Sequence, residues 1–279
     1  MSDFNERQDC APLSLTRKIE DFPIGNLSLS DHQKAHGISC HPHAWLNALD
    51  IDRLKNSGKS TLVDASGVAL AWLGATASSD EVLTAESSFL IRYPWNLLTA
   101  NEQYVAALVE NQIHGDIHPL AVVDGVLHLG EGSRILPGVF IEGNVIIGAN
   151  CKIGPNCYIR GNTTIGDQCH IGQSVEIKNC LILSRTNVGH LSYVGDSVLG
   201  EKVNFGAGTT TSNLRHDGKN HFSTVHGKLL DTGRRKFGTI VGDGVHTGIN
   251  TSIYPGRKFW PHTSTRPGEI VQRDIQSSI

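Results

Sequence analysis

The 279 residues carry a formal net charge of −3, so neither a nucleic-acid backbone nor an anionic membrane surface is the expected partner. No apolar run approaches the roughly 18 residues of a membrane span, and the opening MSDFNERQDC is polar and acidic rather than a secretory leader; a cytoplasmic protein is expected. Aromatic residues make up only 6% of the chain while glycines number 30, which suits a repetitive fold with tight corners better than a conventional core.

Residues 1–120 show no short repeat and read as a small mixed α/β region. Residues 44–57 are expected to be helical, with Trp45, Leu46, Leu49 and Leu54 on one face. Ser60–Val63 and Val68–Trp72 read as short strands about a turn at Ser66-Gly67, and residues 96–112 as an amphipathic helix. Gly58-Lys59-Ser60 has the ending of a P-loop, but Arg53 stands where its first glycine is required, and no P-loop is expected.

From Leu129 a period of six begins: Leu129, Ile135, Ile141, Ile147, Ile153, Ile159, Ile165, Ile171, Ile177 and Leu183 are all aliphatic. Glycine often follows, and a small residue often stands four positions on, as at Ser133, Val139, Cys151, Cys157, Thr163, Cys169 and Val175. Self-similarity at a short fixed period means a solenoid. One hexad is a strand plus a corner. Three hexads close a triangular coil that pairs with the next through parallel backbone hydrogen bonds. Hexads of this kind wind left-handed, so the expected fold is mainly β, a left-handed parallel β-helix over residues 121–271. Of the six cysteines none forms a CxxC pair; buried free thiols are expected.

After Leu183 the inward positions are expected at Val188, Val194, Leu199, Phe205 and Thr211, with two steps shortened to five residues around Gly189-His190-Leu191-Ser192-Tyr193. Such local departures from register often mark function. Residues 213–237 contain no hexad and form a long polar loop. The hexads resume at Val241 and run to Val271; residues 272–279 read as a solvated tail.

The repeat predicts columns on the outer surface. Glu142, Arg160 and Lys178 are each one residue past an inward isoleucine and 18 residues apart, so they should stack on one face. Either Glu142 pairs with Arg160 and Lys178 is solvated, or the two cations hold a phosphate or carboxylate. His190 sits in the disturbed segment with Tyr193 three residues on, and a neutral imidazole there suits a general base for an amine attacking an acyl group. His216 and His221, with His170 or His190, are a zinc alternative, but no histidine falls on a matching coil and no metal is expected.

The run from Val175 to Asn220, with its pieces VEIK, GHLSYVGD, VNFGAGT and SN…DGKN, closely resembles the acetyltransferase half of the GlmU-like bifunctional sugar-1-phosphate nucleotidylyltransferase/acetyltransferases. DTGRRKFGTIVGDGVHTGINTSIYPG, Asp231 to Gly256, is similar to the archaeal-type and alternative bacterial branches. The resemblance covers roughly Leu129 to Val271. It implies that Arg160, Lys178 and Tyr193 contact a sugar phosphate and that His190 is the general base. Asn204 and Asn213 match the family's asparagines, Asn213 orienting the amine or sugar. The loop lysine falls on Lys219 by archaeal-type spacing, whereas common bacterial spacing puts His221 there. Acetyl-CoA contacts would fall near Ala207, Gly248 and Ile249. The implied protein is a homotrimer that N-acetylates an amino-sugar 1-phosphate, glucosamine 1-phosphate first, for sugar nucleotides of the UDP-N-acetylglucosamine type. A binding paralogue without turnover, or an acyltransferase acting on galactosamine 1-phosphate or a nucleotide-linked amino sugar, are the alternatives. PLSLTRKIEDFPIGNLSLSD, Pro12 to Asp31, resembles the opening of a nucleotidyltransferase domain. No glycine-rich nucleotide loop follows, so residues 1–120 are read as a truncated remnant without nucleotidyl transfer.

Overall fold

The computed structural model describes residues 9–276. Three parallel sheets form a left-handed β-helix, each strand pairing with one a coil later. In chain order the first sheet includes Gln112–Ile113, Leu127–Leu129, Thr163–Ile165, Leu181–Ile182, Val198–Leu199 and Thr239–Val241. The second includes Asp116–Ile117, His170–Gln173, Asn187–His190, Asn204–Phe205 and His246–Thr247. The third includes Phe140–Glu142, Tyr158–Arg160, Glu176–Lys178, Tyr193–Gly195, Thr210–Thr211 and Ser252–Ile253. Inward aliphatic residues stack in register, for example Ile141 on Ile159 on Ile177 on Val194, and form one continuous core.

The small residues near the corners do more than fill space. Ser133 Oγ donates to the Gly148 carbonyl at 2.6 Å and accepts from Cys151 N at 2.8 Å. Cys151 Sγ donates to Gly166 O and accepts from Cys169 N, and Thr186 Oγ1 repeats the pattern with Gly200 O and Val203 N. Each side chain satisfies backbone groups that the turn takes out of the ladder. All six cysteines are free, and five are buried; burial pushes the thiols of Cys157 and Cys180 up to about 12, so they are protonated packing groups.

The register departs from the sequence expectation in three places. The first coil starts earlier, with Gln112–Ile113, Asp116–Ile117 and Val122–Asp124 pairing onto later strands; the helix expected over 96–112 ends at Ala106, and Gln112 is already β. Ile182, not Leu183, faces inward, between Ile165 and Leu199. The five-residue steps are therefore Ile177 to Ile182 and Val194 to Leu199, both at the corner from the third sheet to the first. Leu183 is buried instead in a second core outside the prism, and periodicity cannot tell one buried leucine from its equally apolar neighbour. At the far end Ile275 bridges to Phe259 and packs on the core, so the expected solvated tail adds a further contact; residues 277–279 lie outside the described ones.

That second core joins the helix to residues 9–110. This region carries helices α1 (Leu29–His36), α2 (Ala48–Asn56) and α3 (Pro94–Ala106). The expected strands appear as Thr61–Val63 paired antiparallel with Ala69–Trp72. Gly58-Lys59-Ser60 runs from a helix into a strand, the reverse of a P-loop's order. The stretch read as one helix over 44–57 is a short strand, Ala44–Trp45, followed by α2, with Leu49 exposed. Residues α3 buries, Trp95, Leu97 and Leu98, pack with Leu181, Leu183, Val198, Phe237 and Ile240 on the outer side of the first sheet. Arg17 pairs with Glu201 at 3.3 Å and Asp243 at 2.5 Å, tying the leading segment to another corner.

Asn101 stands inside this interface. Its Oδ1 accepts from Gly25 N at 3.2 Å and Thr164 Oγ1 at 2.7 Å, and its Nδ2 donates to Asn162 O at 3.2 Å. Asn101→Ala leaves these buried groups unpaired and should cost about 2–3 kcal/mol. Urea unfolding checks this; a loss below about 0.5 kcal/mol would mean the amide does not join the two parts.

Candidate active site

The corner from the third sheet to the first is where the fold is least regular. Both five-residue steps lie there, and the 213–237 segment leaves the helix from the same corner one coil later, between Thr211 and Thr239. The segment is not structureless. Phe222–Val225 and Lys228–Asp231 form a hairpin, Leu214 bridges to Lys236, and Phe237 is fully buried against Trp95.

Glu142, Arg160 and Lys178 stack in consecutive coils on the third sheet, as their spacing requires. Glu142 does not pair with Arg160 and Lys178 is not solvated, because each of the three finds a partner outside its own column. Glu142 accepts from Tyr158 Oη. Arg160 donates from Nε and Nη2 to Glu176 Oε1 at 2.9 and 2.7 Å, with its guanidinium 5.3 Å from the Tyr158 ring centre. Lys178 Nζ lies 3.1 and 2.8 Å from the two oxygens of Asp196. Asp196 was not singled out from the sequence, although the D of YVGD is its only signal; its carboxylate is 3% exposed and the lysine 14%.

Asp196 is the centre of the network. Asn213 Nδ2 donates to Asp196 Oδ2 at 2.5 Å and to Tyr193 Oη at 3.0 Å, and Asn179 Nδ2 donates to Asp196 Oδ1 at 3.0 Å. Because the Tyr193 oxygen accepts from Asn213, its own proton is available to the groove. Burial, with the charges of Asp196 and Glu176, pushes the Tyr193 phenol above its usual range, so it stays a donor. Gly195 is required by this arrangement: a β-carbon there would stand 2.5 Å from Tyr193 Oη and 2.7 Å from Asn213 Nδ2. His221 Nε2 lies 3.1 Å from the Asn213 carbonyl, which can only accept, so the ring donates. Burial lowers the His221 pKa, keeping the ring neutral. His221 therefore pins the root of the loop, whereas Lys219 is exposed on a turn closed by Asp217 and is not joined to the network. A cleft of about 550 Å³, lined by Ser212, Leu214, Arg215, His216, Asp217, Tyr254 and Pro255, opens beside Asn213.

His190 ends a strand of the second sheet, at the corner that leads to the other edge of the third. Its ring is exposed. Leu191 beside it holds φ at 51° and is exposed. The corner's other left-handed positions are glycine, asparagine or serine, among them Gly138, Asn156, Ser174, Gly208, Asn250 and Gly268. A leucine there costs about 1–2 kcal/mol, and such strain tends to persist at working sites. Ala207, Gly248 and Ile249 occupy later coils of the same corner. Gly248 has no room for a side chain, since a β-carbon would lie 2.4 Å from Pro267 N. Asn204 stands apart: it is on the outer face of the second sheet between Asn187 and His246, around the corner from Tyr193. Among the described residues no group of three or more His, Cys, Asp or Glu could hold a metal ion, and no helix is long and apolar enough to cross a membrane.

With this geometry in view, residues 141–264 match a family model described as the GMPPB C-terminal domain. The chain is 42% identical over 182 residues to a bifunctional sugar-1-phosphate nucleotidylyltransferase/acetyltransferase of Sulfurisphaera tokodaii, covering 65% of this chain and 45% of that one. It is 46% identical over 188 residues to a bifunctional protein GlmU of Methanococcus maripaludis, covering 67% and 45%. The chain thus spans less than half the length of these relatives. A solved structure of PerB from Caulobacter crescentus, in complex with CoA and GDP-perosamine, aligns over 84% of this chain and 72% of its own at 18% identity and a TM-score of 0.25, too loose a likeness to carry an argument.

The two ion pairs of the face should differ sharply in worth. Asp196→Ala strands a largely buried lysine and should destabilise by about 3–5 kcal/mol. Glu176→Gln breaks a pair that is about one-third exposed on each side and should change stability by less than about 1 kcal/mol. Chemical denaturation of both variants checks the contrast; equal losses would remove Asp196 from the centre of the network.

Proposed function

We propose that this chain is an acetyl-CoA-dependent acyltransferase that N-acetylates an amino-sugar phosphate, with glucosamine 1-phosphate as the acceptor, in sugar-nucleotide synthesis of the UDP-N-acetylglucosamine type. One observation carries the reading: Arg160, Lys178, Tyr193 and Asn213 occupy successive coils of one face, and His190 stands on the corner that bounds it. The names of the relatives support it.

The acceptor's phosphate sits against Arg160, Lys178 and the Tyr193 hydroxyl. An incoming anion draws Arg160 from Glu176 and shares Lys178 with Asp196. Asn213 orients the sugar or its amine. The free amine attacks the thioester carbonyl; as the N–C bond forms, His190 takes the amine proton, and the carbonyl electron pair moves to oxygen. Backbone N–H groups stabilise that oxyanion. When the C–S bond breaks, the proton on His190 goes to the departing thiolate, leaving amide and CoA thiol. The glycine-bearing corner with Ala207, Gly248 and Ile249 lies on the His190 side and is where acetyl-CoA would run. The proposed assembly is a homotrimer with sites between copies, in which Asn204 on the second sheet reaches the site of a neighbour. Lys219 would also contact the acceptor only once the loop meets that neighbour. In this reading residues 1–120 transfer no nucleotide.

The pairing of both cations favours a second reading. Arg160 with Glu176 and Lys178 with Asp196 leave neither cation with unbalanced positive charge. A nucleotide-linked amino sugar presents about one charge per phosphorus, where a phosphate monoester presents about 1.5 to 2, and fits such a face more readily.

Release of CoA thiol from acetyl-CoA, followed with glucosamine 1-phosphate, galactosamine 1-phosphate and a nucleotide-linked amino sugar, separates these readings. The first should be fastest, and His190→Ala should lower kcat by roughly 10²- to 10⁴-fold. No release with either sugar 1-phosphate from folded protein overturns the first reading; release with the nucleotide-linked sugar alone establishes the second. Glu176→Gln should lower the KM for a sugar 1-phosphate several-fold by freeing Arg160. An unchanged or higher KM would place the phosphate away from Arg160.

A further inference from the structure

We propose that Glu102, on α3 of the N-terminal region, is a positioning residue for the candidate active site, so that residues outside the β-helix set the geometry of its acceptor-binding face. The proposal rests on the reading of that face given above.

The packing of α3 brings Glu102 to the corner. Leu97, Leu98 and Val105 are fully buried, and Asn101, the residue before Glu102, is fixed on the first sheet through Thr164 and Asn162. Glu102 Oε1 accepts from Asn179 Nδ2 at 2.5 Å and from Arg234 Nη2 at 2.5 Å, and Oε2 accepts from Arg234 Nη1 at 3.0 Å. Arg234 also donates to Thr99 Oγ1 at 3.0 Å, one turn earlier on α3. The carboxylate thus holds two separate structures at once: the far arm of the 213–237 segment through Arg234, and the first five-residue corner through Asn179.

Asn179 passes the constraint on. Its amide nitrogen has two protons, one directed to Glu102 and the other to Asp196 at 3.0 Å. Asn213 repeats the device with Asp196 and Tyr193. The chain of contacts is Arg234, Glu102, Asn179, Asp196, Asn213, Tyr193, with Lys178 on Asp196. Two carboxylates that would repel across the corner are joined by an amide that can bond both. Removing Glu102 frees one side of Asn179 and strands Arg234, whose side chain is 14% exposed and whose Nε already lacks a partner. Lys178 and Asn213 then lose a fixed Asp196. Among the described residues no side-chain hydrogen bond joins the His190 corner, with Ala207, Gly248 and Ile249, to these side chains.

The test uses the full chain with Glu102→Ala, Glu102→Gln and Asn179→Ala, measuring kcat and KM for glucosamine 1-phosphate and acetyl-CoA separately. Glu102→Ala should lower kcat/KM for the acceptor about 10- to 100-fold, with KM for acetyl-CoA within a factor of two. Glu102→Gln, whose side-chain oxygen still accepts from Asn179, should recover most of the loss, and Asn179→Ala should reproduce it without adding to Glu102→Ala in the double variant. Equal effects on both substrates, or losses that add, would overturn the proposal and leave Glu102 a purely structural residue. If the wild-type chain acetylates no amino-sugar phosphate, the acceptor reading fails, and hydrogen–deuterium exchange decides the positioning role alone. Amides 193–214 should then exchange at least several-fold faster in Glu102→Ala than in Glu102→Gln, with 141–165 unchanged. Unchanged exchange at 193–214 would sink it. If Glu102→Ala does not fold, Glu102→Gln against Asn179→Ala carries the same comparison.

Discussion

Everything in this molecule follows from one requirement: each inward aliphatic side chain must sit on its counterpart one coil away while the backbone hydrogen bonds of the parallel sheets stay made. Ile141, Ile159, Ile177 and Val194 meet it on the third sheet, and the hydroxyl and thiol ladder of Ser133, Cys151, Cys169 and Thr186 meets it at a corner. A fold built this way has little freedom on its faces. Outward residues in successive coils are held about 4.8 Å apart by the sheet itself, which presents a column of groups to a ligand at almost no conformational cost.

The same requirement explains why chemistry gathers at corners. A strand cannot lose a residue without turning its side chains to the wrong side, but a corner can. Both shortened steps, and the departure of the 213–237 segment, fall at the corner from the third sheet to the first. There Asp196 is drawn into the protein, Asn179 takes a left-handed φ of 53°, and Lys178, Asn213 and Tyr193 converge on one buried carboxylate. The opposite corner of the same face is regular in length but strained at Leu191, beside His190. One face is thus bounded by an anion-organised polar network at one end and an exposed imidazole at the other, an arrangement suited to holding an acceptor between a fixed binding group and a base.

The N-terminal region changes how such a face is supported. It covers the first sheet with an apolar surface, and it sends Glu102 and the buried Asn101 to polar groups of the helix. Hydrophobic contact fixes where α3 lies; the polar contacts fix how it is turned. The 213–237 segment is held between the two through Phe237 and Arg234, which is why a polar, glycine-bearing stretch forms an ordered hairpin.

The sequence by itself determined the β-helix, its period, the stacking of Glu142, Arg160 and Lys178, the short step from Val194 to Leu199 and the departure at 213–237. All of these are local: a hexad repeats a strand and a corner along the chain, so its period is written in neighbouring residues. The tertiary structure alone decided which of Ile182 and Leu183 faces inward, because both are apolar and both are buried, one inside the prism and one beneath α3. It decided that Arg160 pairs with Glu176 and Lys178 with Asp196 rather than within their own column, that Asn204 stands on a different face from Tyr193, and that His221 is a buried support while Lys219 is exposed. It brought Glu102, Asn179 and Arg234 together from three distant parts of the chain. Contacts between distant segments have no period, and the charge of a side chain does not say which of several opposite charges the packing will place beside it.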